Sequence, residues 1–200
     1  MSAVRSVRVL RVTTALSVVV MLGILDPSAA RAAEPGAGFT LKPVDAGLVT
    51  GMPLVYTANA FGCSGGNTSP ALEWSGAPEG TQSYVLTLFD PDERSTPSGW
   101  WHWAVYDLPK DAHGVVKGAG VEHSKTLPKG ALHGRTDLGN LAYHGPCPDK
   151  GDPAHRYVFT LYALKVAKLP VKPGAPAAMV VSTANENVLG KAVFEAHYGR

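Results

Sequence analysis

A mainly β fold with small helices at its periphery is what this sequence predicts, on three observations. Ser83–Phe89, Trp100–Leu108 and Tyr157–Leu164 are rich in β-branched and aromatic residues, as half-buried pleated strands are. Turn formers bound them: Asp90-Pro91-Asp92 closes the first, Pro109 follows the second, and a Lys- and Pro-containing linker follows the third. Apolar residues at three- and four-residue spacing are confined to the tail, Pro176–Tyr198, so helices do not alternate with strands and a parallel α/β fold is disfavoured.

In chain order, Phe39–Leu41 reads as a short strand and Thr50–Pro53 as a turn. Leu54–Thr57 reads as a second strand, Phe61–Pro70 as a Gly-, Asn- and Ser-rich loop, and Ala71–Trp74 as a sheet-edge segment. After the two strong strands, Lys110–Lys150 has few strand signals and seven glycines. So long a loop is costly unless it lines or covers a site. In the tail, Ala177, Val180, Ala184, Val188, Ala192 and Ala196 predict a helix, weakened at Gly190.

With 200 residues and 45% hydrophobic composition the chain suits one packed domain and is too apolar for disorder. Residues 1–32 have a different character. Arg5, Arg8 and Arg11 precede a nearly uncharged apolar stretch, Val12–Leu25, and Ala30-Arg31-Ala32 supplies a small-x-small site. That order is a secretory signal peptide, too short in its apolar part for a comfortable span of about 20 residues. The expectation is therefore an exported protein, periplasmic or secreted. Cleavage after Ala32 leaves one domain over 33–200 and no transmembrane anchor.

The signal segment carries four arginines against Asp26, so 18 basic and 16 acidic residues become 14 and 15 in the mature chain. A near-neutral domain has no bulk attraction for nucleic acid or anionic lipid, and any anion site must be local. Export also permits a disulfide, and Cys63 with Cys147 is the single pairing available. It requires Cα atoms within about 7 Å. The alternative is a free Cys147 thiol near His155, a nucleophile that the disulfide would remove.

Polar groups cluster at strand ends. Asp90 and Asp92 flank Pro91, where they form either a paired-carboxylate site or a local Asx turn. His102 lies within Trp100-Trp101-His102-Trp103. Strict alternation puts Trp100, His102, Ala104 and Tyr106 on one face and Trp101, Trp103, Val105 and Asp107 on the other. His155 and Tyr157 share a face at the start of the third strand. Before them, Tyr143-His144-Gly145-Pro146-Cys147-Pro148 forms a stiff loop whose backbone can approach other groups closely. If the first two strong strands run antiparallel, Asp90, Asp92, His102, His155 and Tyr157 meet in one pocket suited to a small anion, with the carboxylates free to take an ammonium beside it. Two His and two Asp are also metal-ligand types, but no close His-x-x-x-His or Cys-x-x-Cys spacing supports a metal site. Gly62-Cys63-Ser64-Gly65-Gly66 has the Gly-x-Ser-x-Gly spacing, but it lies in a Gly-, Asn- and Ser-rich loop and not between a strand and a helix, so no nucleophile elbow supports a serine hydrolase.

These motifs, in order, resemble the phosphatidylethanolamine-binding protein family, specifically its bacterial Raf-kinase-inhibitor-like branch. They are Phe61-Gly62-Cys63-Ser64-Gly65-Gly66-Asn67-Thr68-Ser69-Pro70 with Leu72-Glu73-Trp74, Asp90-Pro91-Asp92, Gly99-Trp100-Trp101-His102-Trp103, Thr136-Asp137-Leu138-Gly139, Gly145-Pro146-Cys147-Pro148 and His155-Arg156-Tyr157. The resemblance spans about residues 38–200. It implies a β-sandwich with a Greek-key core and small peripheral helices, including a C-terminal one. It implies non-enzymatic binding of a phosphate, phosphomonoester or phospholipid head group without a cofactor. The pocket residues that match are Asp90, Asp92, His102, His155 and Tyr157, with Pro146 in the rim loop. A protease-inhibitor or protein-interaction role is the alternative, and hydrolysis a weaker one. The chain departs from the pattern at Glu93-Arg94, Thr136 and Asp149, and Glu93 adds negative charge beside the pocket.

Overall fold

A computed structural model describes residues 38–200; the expected signal peptide lies outside the described residues. Among the described residues, eight strands build two sheets. The smaller contains β1 (Thr40–Pro43), β2 (Leu72–Ser75) and β5 (Gly114–Val115), in the order β1-β2-β5. The larger contains β3 (Ser83–Asp90), β4 (Trp100–Pro109), β6 (Leu132–His133), β7 (His155–Leu164) and β8 (Val188–Tyr198), in the order β6-β4-β3-β7-β8. All pairings are antiparallel. Within the large sheet β3, β4 and β6 are successive neighbours, and β7 returns to lie beside β3, the Greek-key order.

The alternation of β3 explains why it is buried nearly throughout. Tyr84, Leu86 and Leu88 enter the core between the sheets, with Leu41, Leu72, Trp74, Trp103, Val105, Phe159 and Leu161. Val85 points to the other face, where Tyr106, Tyr162 and Leu164 pack under the helix α1 (Ala177–Asn185) through Val180, Val181 and Ala184. Both faces of the central strands are thus covered, which selects large apolar residues at consecutive positions.

Three sequence expectations are corrected. Ala71–Trp74 is not a sheet edge, because β2 lies between β1 and β5. Leu54–Tyr56 is a 3-10 turn following Pro53, and Leu54 is exposed. The tail is helical only to Asn185; Val188–Tyr198 is strand β8, paired with β7 along its length. The small residues that mimic a helical stripe, Ala192 and Ala196, are the inward positions of a strand. Tertiary pairing overrides the local pattern here.

Strict alternation also fails in β4. Leu88 pairs with Trp103 but Phe89 with Trp101, so one extra residue, His102, is accommodated in a bulge. Trp103 therefore enters the inter-sheet core, whereas Trp101 packs tilted against Phe89, with centroids 4.3 Å apart, beside the helix-side cluster. A second register shift lies opposite Asp107, whose φ of 56° precedes Leu108's return to the inter-sheet core.

Candidate functional site

Asp90 pairs with Trp100 at the β3–β4 end, and β7 begins beside it, so the three strand ends converge as antiparallel pairing requires. Between them and two loops lies a recess of about 300 Å³. Asp90, His102 and Tyr157 line its floor. Glu93, Trp100 and His144 add to its walls, and Phe61, Leu138, Pro148 and Asp149 to its rim.

Asp90 is only 1% exposed and fully bonded. Oδ1 accepts the backbone N–H groups of Asp92 (2.8 Å) and Glu93 (3.0 Å), which is an Asx turn. Oδ2 accepts the Nδ1–H of His155 at 2.8 Å. His155 is held in the wall, its Nε2 directed toward Asp152 Oδ2 at 3.7 Å. It also borders a second, more open recess of about 680 Å³.

The bulge turns His102 toward Tyr157, ring centroids 5.5 Å apart. Its Nδ1 lies 2.9 Å from the His144 carbonyl, which can only accept, so that nitrogen carries the proton. Burial, then the neighbouring His144, pushes the imidazole down to about 3. The ring is neutral at ordinary pH and offers the recess an Nε2 lone pair. His144 is likewise lowered by burial, and its Nδ1 is buried without a partner. The Tyr157 hydroxyl is also buried without a partner in hydrogen-bonding geometry. Burial and the nearby Asp90 charge raise its pKa, so it remains a donor. Burial alone would raise Glu93, but bonds from Ser95 outweigh it and the net shift is downward. The recess lining contains carboxylates and no Lys or Arg.

Of the residues singled out by sequence, Asp90, His102 and Tyr157 meet in the recess, and His155 stands behind Asp90. Asp92 does not join them. It accepts the Arg156 backbone N–H (2.9 Å), Nε–H (2.9 Å) and Nη2–H (2.8 Å), and lines the outer recess. Hydrogen bonds to Arg156 hold its carboxyl down to about 2. Pro146 is buried below the rim, its carbonyl accepting the Ala58 N–H at 2.9 Å, while Cys147, Pro148 and Asp149 reach the recess. The signal for His144 was its place in the Gly/Pro loop. Phe61 had a weaker one, a large apolar residue in a Gly/Ser loop.

Cys63 and Cys147 form a disulfide with Cα atoms 6.0 Å apart, so neither is a free nucleophile. Asp90, Glu93 and His155 offer ligand atoms within 4.8 Å of one another, the residue types a divalent cation takes. Two backbone donors and the imidazole already satisfy Asp90, and a cation there would have to displace the His155 proton.

The family model described as phosphatidylethanolamine-binding protein matches residues 48–199. The chain belongs to this family. It is 46% identical over 137 residues to the Escherichia coli protein YbcL, covering 68% of this chain and 74% of that one. It is 43% identical over 129 residues to E. coli YbhB, covering 64% and 80%. The crystal structure of YbcL, described as a new member of the mammalian PEBP family, matches with a TM-score of 0.78 over 82% of this chain and 99% of YbcL, at 39% identity. The putative lipoprotein LppC of Mycobacterium tuberculosis is 33% identical over 132 residues, covering 66% of this chain and 60% of LppC. Family membership supports a ligand-binding role, and the mainly β, two-sheet architecture with the helix Ala177–Asn185 is the family fold.

Proposed function

We propose that this chain is a non-enzymatic binding protein whose recess takes the polar head of a small phosphate-bearing ligand that also brings hydrogen-bond donors. Phosphoethanolamine is the simplest such head group. The observation that carries this reading is the buried Tyr157 hydroxyl, which makes no hydrogen bond of good geometry although the Asp90 carboxylate lies near it, beside the Nε2 of His102. An unsatisfied buried donor costs about 1–3 kcal/mol, which a ligand oxygen would recover. Glu93 and His102 present acceptors beside the Asp90 charge, and no Lys or Arg neutralises them within the recess. A bare dianion would therefore be repelled, whereas an ammonium or a protonated phosphate oxygen would be welcomed. Exposed Phe61 and Leu138 at the mouth suit an apolar continuation of the ligand. The Cys63–Cys147 disulfide and the likeness to a putative lipoprotein support export to an oxidising compartment.

Titration calorimetry with phosphoethanolamine, inorganic phosphate and ethanolamine tests the reading. Phosphoethanolamine should bind more tightly than either fragment, and Tyr157→Phe and His102→Ala should each weaken it about tenfold, the loss of a hydrogen bond of about 1.4 kcal/mol. No heat from any of the three, or equal affinity in both folded variants, rejects it.

A further inference from the structure

The rim of the recess is made by two loops far apart in sequence, one carrying Phe61–Gly66 and the other His144–Asp149. The disulfide joins them at Cys63 and Cys147. A second link comes from β8's end. The Arg200 guanidinium donates from Nε to the Pro148 carbonyl (2.6 Å), from Nη1 to the Gly62 carbonyl (2.8 Å) and from Nη2 to the Phe61 carbonyl (3.3 Å). A planar fork of donors spans the same gap as the S–S bond.

What the fork holds is strained. Phe61 has φ 57° and Gly62 φ 79°. A non-glycine residue in the left-handed region costs roughly 1–2 kcal/mol and persists where its surroundings enforce it. That backbone presents the Phe61 ring, 65% exposed, over the mouth, edge-on to His144 with ring centroids 5.7 Å apart. Glycine at position 62 suits that positive φ, and a Cβ there would meet Arg200 Nη1 at 3.4 Å.

We propose that Arg200 is a positioning residue of the recess rim, coupled energetically to the Cys63–Cys147 disulfide. Each link holds the other's ends together. Arg200 keeps the two sulfurs at high effective concentration, and the disulfide keeps the three carbonyls within reach of the guanidinium. Linkage of this kind is reciprocal. The expectation for ligand affinity rests on the proposed binding function; the expectation for the disulfide does not.

The test is a thiol–disulfide equilibrium on the full chain in dithiothreitol buffers, with the reduced fraction read by thiol trapping. The dithiol gives two electrons and two protons to the S–S bond and becomes its cyclic disulfide, leaving two cysteine thiols. In Arg200→Ala the equilibrium should move at least tenfold toward the thiols, about 30 mV for this two-electron couple. Arg200→Lys, with one ammonium for three carbonyls, should move it at least threefold, and decides the matter if the alanine variant is not folded. Lys191→Ala, on the exposed side of β8, should leave it unchanged. An equilibrium within twofold of wild type in the folded arginine variants overturns the proposal. In the oxidised protein, Arg200→Ala should also weaken phosphoethanolamine binding at least threefold. If the wild type binds no phosphoethanolamine the binding function fails, while the redox comparison still judges the coupling.

Discussion

His155 donates Nδ1–H to Asp90 over 2.8 Å, and the two side chains are 5% and 2% exposed. The bond ties the first residue of β7 to the last of β3, so it fixes the recess floor and the sheet end together. Asp90→Asn keeps the shape but loses the charged acceptor. Hydrogen bonds to charged groups are worth about 1.5–3 kcal/mol, and breaking a buried charged pair costs about 3–5. The variant should lose about 2–4 kcal/mol in urea unfolding. A midpoint equal to wild type would show that the bond is not formed.

Asp92, by contrast, pairs with Arg156 at a partly exposed site and should matter little to the recess. Asp92→Ala should cost about 1 kcal/mol or less and change phosphoethanolamine affinity less than twofold. A tenfold loss would put this carboxylate back in the binding site.

Stability should decline on the acid side, with a sign set by the buried imidazoles. His102 is lowered from 6.5 to about 3, chiefly by burial, and His144 and His133 are lowered for the same reason. Between these limits the unfolded chain binds protons that the folded chain refuses. The full contribution is present above pH 6.5 and is lost as pH falls toward 3, up to about 5 kcal/mol for His102. Asp92, at about 2 against 3.8 when free, adds a loss in the same direction below about pH 4. Urea midpoints measured from pH 7 to 4 should fall, less steeply in His102→Gln. A flat profile contradicts the assignment of a neutral buried ring.

Gly145 packs its backbone against Tyr56–Ala58. A Cβ there would lie 2.5 Å from Thr57 C and 2.6 Å from Ala58 N, and closer still to the Tyr56 carbonyl oxygen. Backbone cannot yield as a flexible side chain can, so Gly145→Ala should destabilise by about 1–3 kcal/mol. A thermal melt unchanged from wild type would refute the close approach.

The Cys63–Cys147 link closes a loop of 84 residues, for which the chain-entropy account gives about 4–5 kcal/mol. Replacing both cysteines by serine should lower the melting temperature with little change in the far-ultraviolet spectrum of the folded protein. Equal melting temperatures would mean that the reduced unfolded chain is already as restricted.

Much of this was legible beforehand because local composition and tertiary role agreed. β3, β4 and β7 are two-sided core strands, and their dense β-branched and aromatic runs say so. The recess followed from antiparallel pairing of segments ending in Asp90 and beginning near His102. The failures share a cause. Ala192 and Ala196 are small because they face inward on β8, yet they fall at helical spacing by coincidence. The bulge at His102 is invisible to an alternation rule, since it is fixed by pairing across to Leu88 and Phe89. Asp92 looks equivalent to Asp90 in the sequence, and only the position of Arg156 separates them.

The return of β7 to the side of β3 has a consequence for how the molecule assembles. Thr87 and its cross-strand neighbour Thr160 are 73 residues apart, and the other rungs of that ladder are similarly distant in sequence. The middle of the large sheet therefore lacks one flank until β7 has arrived, and closing so wide a loop precedes any reward from the contacts. Chains dominated by such distant pairings mature over milliseconds to seconds. A polypeptide with this topology stays unfolded, and threadable through a narrow pore, for longer than a helical bundle of the same size.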